Sequence, residues 1–351
     1  MPIRFEPSVE RRRERRERRE RSGRGGRHDP RAVSTAGHPP SGSEPTLRLA
    51  LVNNMPDAAF DDTERQFLDL LEAGSADWTV VVDGYVLPGR GQGGVARGYR
   101  PVERLYERPP DGLIVTGTEP RRASLPAEPY WEALADLLRW ADGAVPSMLL
   151  SCLAAHAALL VLDGVERTAL DSKRSGVFAQ AVDHRHRLMR GMDDLPLPHS
   201  RYNDVPAATL AAHGYALLAS SPDVGWSVAA RDDGACLVVL AQGHPEYSPD
   251  TLLREYRRDV RRFLQGTTAV YPALPGGYLD RAGEGLLEAF AGQAAAVMDA
   301  AGAPGAVSLM EAFPFDEAAR HVRGGWRPSA ERIVANWLEE IATRTRASVL
   351  R

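Results

Sequence analysis

Two cysteines, Cys152 and Cys236, are all that 351 residues hold. They are too few for a disulfide framework or a cysteine-built zinc site, and they suit a reducing compartment. Lysine is scarcer still: Lys173 is the only one among 43 basic side chains. A lysine that persists against such an arginine bias is expected where a compact ammonium is needed and a planar guanidinium would not fit, chance survival being the alternative. No apolar run approaches the roughly 20 residues of a membrane-crossing helix, and the first thirty residues are charged where a secretory leader would be apolar. A cytoplasmic protein without a membrane partner is expected. The Gly-x-x-x-x-Gly-Lys phosphate loop does not occur, so nucleoside triphosphate chemistry finds no support, and dinucleotide redox chemistry is not expected either.

What is present is ordinary for a globular protein, 43% hydrophobic and 26% charged. The length suits one large α/β domain or two smaller ones. The net charge of −4 hides an asymmetry: residues 1–31 carry twelve Arg against five Glu and one Asp, a surplus of +6 that leaves −10 for the remainder. Such a body repels nucleic acid, so the tail is the one segment expected to attract a polyanion. Residues 1–45 are rich in Arg, then in Gly, Ser and Pro, with almost nothing to bury, and disorder is expected there. A solvated extension with no binding role explains the same composition. Residues 46–346 read as a single domain, with 347–351 a short tail.

Strand and helix signals alternate along that domain. Apolar runs at Leu47–Val52, Trp78–Val86, Leu113–Val115, Met148–Leu150, 226–230 and 235–241 read as strands. A helix with a capping-box start at Asp61 and Glu64 follows the first, and residues 128–142, 249–264 and 281–300 are helical in spacing. The stretch 88–104 reads as a loop. Residues 268–327, rich in Gly, Pro and Ala, look like an insertion, and a last amphipathic helix begins at Ser329. The pattern is that of an α/β doubly wound, mostly parallel sheet with helical C-terminal additions, in which ligands bind beyond the carboxyl ends of the strands.

Cys152 lies on that rim. It ends an apolar strand and is followed at once by a strong helix former, so a strand-to-helix turn would expose its sulfur at a helix N-terminus, whose partial positive charge favours an anion. The backbone N–H of Leu153 and one from the Gly117-Thr118 loop would then serve as oxyanion donors. A buried structural cysteine is the other reading. His244, in Gly-His-Pro-Glu beyond the 235–241 strand, falls on the same rim, and Glu246 can orient its imidazole, giving a Cys-His-Glu set. His156 reads as a packing or orienting residue behind the nucleophile. His184 and His186 have a metal-like spacing but no acidic or cysteine partner near in sequence, so no metal is expected.

These residues resemble the homoserine O-succinyltransferases, whose fold is related to class I glutamine amidotransferases and flavodoxin-like sheets. The matching stretches are Asn54-Met55-Pro56 with Thr63 to Leu68, Gly112 to Gly117, Tyr130-Trp131, Cys152, Lys173 to Val177, Pro198 to Tyr202, Gly243 to Tyr247, Arg258 to Val260, and Asn336 to Leu338. They span roughly residues 46–343 in the family's order. The resemblance implies an acyltransferase domain in which Cys152 carries an acyl thioester, His244 is the general base and Glu246 its partner, while Lys173, Ser200 and Arg258 bind substrate. It implies L-homoserine and an acyl-CoA as substrates, no resident cofactor, a place in methionine synthesis, and a homodimer.

The chain departs from the family pattern in three places, one of them residues 268–327, which look longer than the family's corresponding stretch and would remodel the acceptor pocket. Leu153 and His156 stand where many relatives have Trp and Gln. At the position that distinguishes acyl donors the ungapped count gives Arg121, which would attract a succinyl carboxylate, so succinyl-CoA is expected over acetyl-CoA. A slip of two residues would put Glu119 there and reverse the preference. Other readings stay open: serine or another hydroxy amino acid as acceptor, acetyl-CoA as donor, a glutaminase built on the same triad, or an inactive relative that binds polyanions through the tail.

Overall fold

The structure, a computed structural model, describes residues 4–5, 46–75, 78–90, 98–232 and 234–349. The expected disorder over 1–45 lies outside the described residues except at β1 (Arg4–Phe5), which pairs in parallel with Val81 and Val82. The five apolar runs that need both faces covered form the centre: β2 (Thr46–Val52), β3 (Thr79–Val86), β5 (Gly112–Val115), β6 (Ser147–Ser151) and β12 (Leu237–Ala241). They are parallel, and in the sheet their order is β3-β2-β5-β6-β12, that is second, first, third, fourth, fifth along the chain. This doubly wound order reverses direction between β2 and β5, the kind of switch point at whose carboxyl-end side such folds bind ligands. Beyond β12 the sheet turns antiparallel through β11 (Gly225–Arg231), β10 (Ala216–Ser221) and β8 (Ala181–Val182), while β4 (Arg100–Pro101) pairs with β3.

Helices cover both faces. On one, α2 (Trp131–Ala144) and α3 (Leu153–Asp163) pack Leu134, Leu138 and Leu159 against Ala50, Val52 and Val115. On the other, α1 (Asp57–Gly74) and α8 (Arg327–Val349) bury Phe67, Leu71, Trp337 and Ile341 against Leu49, Leu51 and Val82. Trp337 Nε1 donates to Ser147 Oγ at 2.8 Å, and Asn336 donates to the carbonyls of Leu188 and Arg190. The Asn-Trp-Leu stretch is thereby a lock on the sheet. α1 begins at Asp57, four residues before the expected Asp61, because Pro56 is extended at φ −65°, ψ 158° and starts the helix without a side-chain cap. Asp61 and Glu64 then fall inside the helix.

The Gly, Pro and Ala-rich stretch is more ordered than its composition suggests. α6 (Arg281–Ala306), a short 3-10 turn and α7 (Phe315–Ala319) fold over α5 (Thr251–Leu264), burying Tyr256, Tyr278, Phe290, Phe313 and Trp326 in a separate apolar cluster. Trp326 Nε1 donates to the carbonyl of Tyr247 at 3.0 Å, so this layer is tied to the loop that carries His244. A second, two-stranded sheet pairs β7 (Thr168–Phe178) with β9 (Leu197–Asp204). Of these, β7 was signalled only in its second half, by the loop-to-strand pattern that opens at Lys173, while β9 and β10 were not expected from the sequence. No helix among the described residues is long and apolar enough to cross a membrane.

Candidate active site

Cys152 occupies the turn from β6 to α3 with φ 49° and ψ −106°, the only non-glycine at positive φ among the described residues. Such a backbone costs about 1–3 kcal/mol and persists only where the surroundings fix it. Here they do: the Cys152 N–H donates to the Ala241 carbonyl at 2.7 Å, and its own carbonyl accepts from Ala155 and His156. The sulfur-bearing side chain is half-buried, whereas Cys236 is sealed in the core, where burial pushes its thiol up to about 12. Leu153 is the first residue of α3, so no helix carbonyl receives its N–H. Gly117 packs against the turn: a Cβ there would sit 3.2 Å from both Cys152 Cβ and the Ser151 carbonyl oxygen. A side chain at 117 would press the Cys152 turn apart by a few tenths of an ångström.

His244 follows β12, which lies beside β6, and its N–H donates to the Pro198 carbonyl at 2.8 Å. Its Nδ1 is 2.8 Å from Glu246 Oε1, which also accepts from Ser151 Oγ at 3.1 Å. With Nδ1 taken, Nε2 is left for the sulfur and has no other partner among the described residues. Burial, the largest influence, pushes the imidazole pKa down; the Glu246 carboxylate and the Cys152 sulfur, each as charge and as hydrogen-bonding partner, outweigh it and hold the group well above the ordinary histidine value. Part of that elevation belongs to the sulfur. In a Cys152→Ser variant the His244 pKa is therefore expected to fall relative to the parent protein, measured by NMR titration of the ring protons; an unchanged value would mean that the two groups do not interact.

The three expected binding residues converge on one helix. Lys173 Nζ, from β7, is 2.6 Å from Asp259 Oδ2 and 3.5 Å from Glu255 Oε2; Ser200 Oγ, from β9, donates to Glu255 Oε2; Arg258 pairs with Asp259 at 3.1 Å and with Glu119 at 3.8 Å. Burial tends to raise the Glu255 carboxyl, but Lys173, then Arg258 and the Ser200 and Tyr247 hydroxyls, hold it below the usual range. Tyr247 joins this cluster to the triad. Its ring stacks on His244 with centroids 4.1 Å apart, and its hydroxyl donates to Glu255 Oε1 at 2.7 Å. Glu255 was not singled out from the sequence, although Glu255, Arg258, Asp259 and Arg262 make a charged stripe at helical spacing on α5.

The remaining expected residues have quieter positions. Arg121 presents its backbone inward, its N–H donating to Glu128 Oε1 at 2.5 Å, while the residue is exposed. Glu119 is bound by the Arg262 guanidinium at 2.9 and 3.0 Å, which pins the β5 loop to α5. His156 is buried with Nε2 2.8 Å from Gln242 Oε1; burial outweighs that bond and lowers it to about 4, so it is a neutral packing residue at pH 7. His186 accepts the Leu188 N–H through Nδ1, and no cluster able to hold a metal ion occurs among the described residues.

A strained cysteine, an imidazole braced by a buried carboxylate and a neighbouring bed of paired charges are thus assembled on one rim. The family model of homoserine O-succinyltransferase matches residues 42–347. The chain belongs to the homoserine O-succinyltransferase family. It is 41% identical to the homoserine O-succinyltransferase of Methylorubrum extorquens over 306 residues, covering 85% of this chain and 88% of that one. To the homoserine O-succinyltransferase of Rhodopseudomonas palustris it is 40% identical over 309 residues, 86% and 90% of the two chains. Among solved structures it is similar to a glutamine amido transferase from Methylobacillus flagellatus, with a TM-score of 0.44 and 16% identity over 85% of this chain and 95% of that one.

Proposed function

We propose that the protein transfers a succinyl group from succinyl-CoA to the hydroxyl of L-homoserine through a thioester on Cys152, a step of methionine synthesis. The observation that carries this reading is the strained Cys152 turn facing an imidazole whose other nitrogen is fixed by buried Glu246.

The chemistry divides into two transfers. In the first, the Cys152 sulfur attacks the thioester carbonyl; a new carbon–sulfur bond forms, the bond to coenzyme A breaks, and the imidazolium of His244 gives its proton to the departing thiolate. The carbonyl oxygen becomes an oxyanion met by the backbone N–H groups of Leu153 and Thr118. Acylation removes the charge from the sulfur. One of the influences that raise His244 is then gone, and the neutral imidazole is suited to act as a base. In the second transfer His244 takes the proton of the acceptor hydroxyl, its oxygen bonds to the acyl carbon, and Cys152 leaves beside the regenerated imidazolium. Glu246 keeps the ring oriented throughout and stabilises its charged form.

The charged cluster on α5 suits an amino acid as acceptor. A zwitterion brings one ammonium and one carboxylate, and Glu255 with Ser200 and Lys173 with Arg258 offer one partner for each. Tyr247 sets this cluster next to the imidazole. Incubation with succinyl-CoA alone should add 100 Da to the Cys152 peptide, the mass of a succinyl group replacing hydrogen, about 100 on the atomic scale. Subsequent homoserine should discharge it faster than serine does. A stable, unmodified Cys152 peptide, or ammonia release from glutamine at comparable rates, would overturn the reading.

A further inference from the structure

Tyr247 touches both halves of the site. Its ring lies on the His244 imidazole, with centroids 4.1 Å apart and planes 20° from parallel, and its hydroxyl donates to Glu255 Oε1 at 2.7 Å. Glu255 Oε2 in turn accepts from Ser200 Oγ and lies 3.5 Å from Lys173 Nζ. A continuous path of contacts therefore runs from the charged bed on α5 to the base.

The path is stiff. The Tyr247 N–H donates to the His244 carbonyl at 3.3 Å, closing a turn that holds the two stacked residues by their backbones. Behind the stack, Tyr247 is buried in the apolar cluster that holds Leu252, Tyr278 and Trp326, and its carbonyl accepts the Trp326 Nε1–H at 3.0 Å. The phenol is also a permanent donor: burial first, then the Glu255 and Glu246 carboxylates, push its pKa well above the ordinary tyrosine value. Glu246 fixes the imidazole at Nδ1, and the Tyr247 ring fixes its plane. What the base can reach then depends on where the rest of the acceptor is held. In homoserine the nitrogen and the hydroxyl oxygen stand four bonds of about 1.5 Å apart, roughly 5 Å when extended. With the ammonium on Glu255, the hydroxyl meets the imidazole only if Glu255 and His244 keep a set spacing, and Tyr247 is in contact with both.

We infer that Tyr247 is a positioning residue for the second transfer: its ring sets the plane of His244, and its hydroxyl sets the spacing between that base and the carboxylate that receives the acceptor's ammonium. The inference rests on the acyltransferase reading and adds to it the element that registers the acceptor against the base. It assigns the hydroxyl to discharge of the thioester and not to its formation, because acylation of Cys152 needs the imidazole but no acceptor.

The two transfers can be read separately. Tyr247→Phe keeps the stack and cuts the bond to Glu255, so release of coenzyme A from succinyl-CoA without acceptor is expected within about threefold of the parent rate. Discharge by homoserine should fall about 10- to 100-fold, the range for a lost hydrogen bond to a charged group, and the loss should lie in the rate at saturating homoserine and not in KM. Neutral hydroxylamine attacks the same thioester but brings no ammonium for Glu255, and it should discharge the variant within about threefold of the parent rate. Tyr247→Leu removes the stack as well and should slow both transfers. An unchanged homoserine rate in Tyr247→Phe, a rise in KM alone, or equal losses for homoserine and hydroxylamine would overturn the inference while leaving the thioester chemistry intact. Acylation of Tyr247→Leu at the parent rate would overturn the part given to the ring. A parent protein that forms no thioester with succinyl-CoA would instead sink the acyltransferase reading, and this inference with it.

Discussion

Cys152→Ala is expected to lower homoserine acylation by about 10⁴-fold or more, because on the proposed thioester route the loss removes the group that holds the acyl chain between the two transfers. The substitution isolates chemistry from folding. Alanine keeps a Cβ, so the cost of φ 49° is unchanged, and the backbone bonds that hold the turn, to Ala241 on one side and from Ala155 on the other, do not involve the sulfur. The thermal midpoint should therefore stay close to that of the parent while the product, followed by liquid chromatography, disappears. Residual turnover above about 1% would mean that homoserine attacks acyl-CoA directly, with His244 as base and no covalent stage. Serine at 152 is a poorer nucleophile than a sulfur already paired with an imidazole, so Cys152→Ser should fall near the alanine variant.

The parts of this molecule that were legible in the sequence are those whose environment is uniform. β2, β5, β6 and β12 are buried along almost their whole length, and their apolar runs say so directly. β7, with the sequence TALDSKRSGVF, shows neither an apolar run nor alternation. Its one strand neighbour is β9, whose LPHSRYND is just as mixed, and what fixes the pair is a register that joins residues 19 to 36 apart in the chain, from Phe178 with Leu197 to Thr168 with Asp204. No local window records that. The same strands carry Lys173 and Ser200, so their convergence on Glu255 was invisible even though each had been marked separately.

The site divides along the same line. Cys152 and His244 were legible because each follows directly on a central strand, and neighbouring parallel strands must deliver their ends to one rim. Glu255 carried a weak signal, the charge stripe on α5, which reads equally as a solvated helix face. Arg121 is exposed, and what the structure fixes there is its backbone. Glu128 Oε1 accepts the backbone N–H groups of Arg121 and Arg122, a bond between residues six and seven apart that no local pattern announces.

Acid should destabilise the protein before its carboxylates begin to titrate, and His156 supplies much of the reason. Burial depresses its pKa to about 4, against about 6.5 in an unfolded chain, even though Gln242 pulls the other way. Between those two values the unfolded state binds a proton that the folded state refuses. Stability is then complete above pH 6.5 and declines as pH falls toward 4, by about 2–3 kcal/mol at pH 4.5. His199, buried and also lowered, acts in the same direction, whereas His244, raised, is already protonated in the folded state throughout this window and contributes a constant gain there. Glu255 and Asp259, held low by Lys173 and Arg258 against the opposing effect of burial, lose their contribution only further down. Urea unfolding of His156→Gln, which keeps a polar group for Gln242, should show roughly that much less loss between pH 7 and pH 4.5 than the parent protein. Parallel curves for the two proteins would mean that His156 accepts its proton without unfolding, and that the bond to Gln242 is not what positions it.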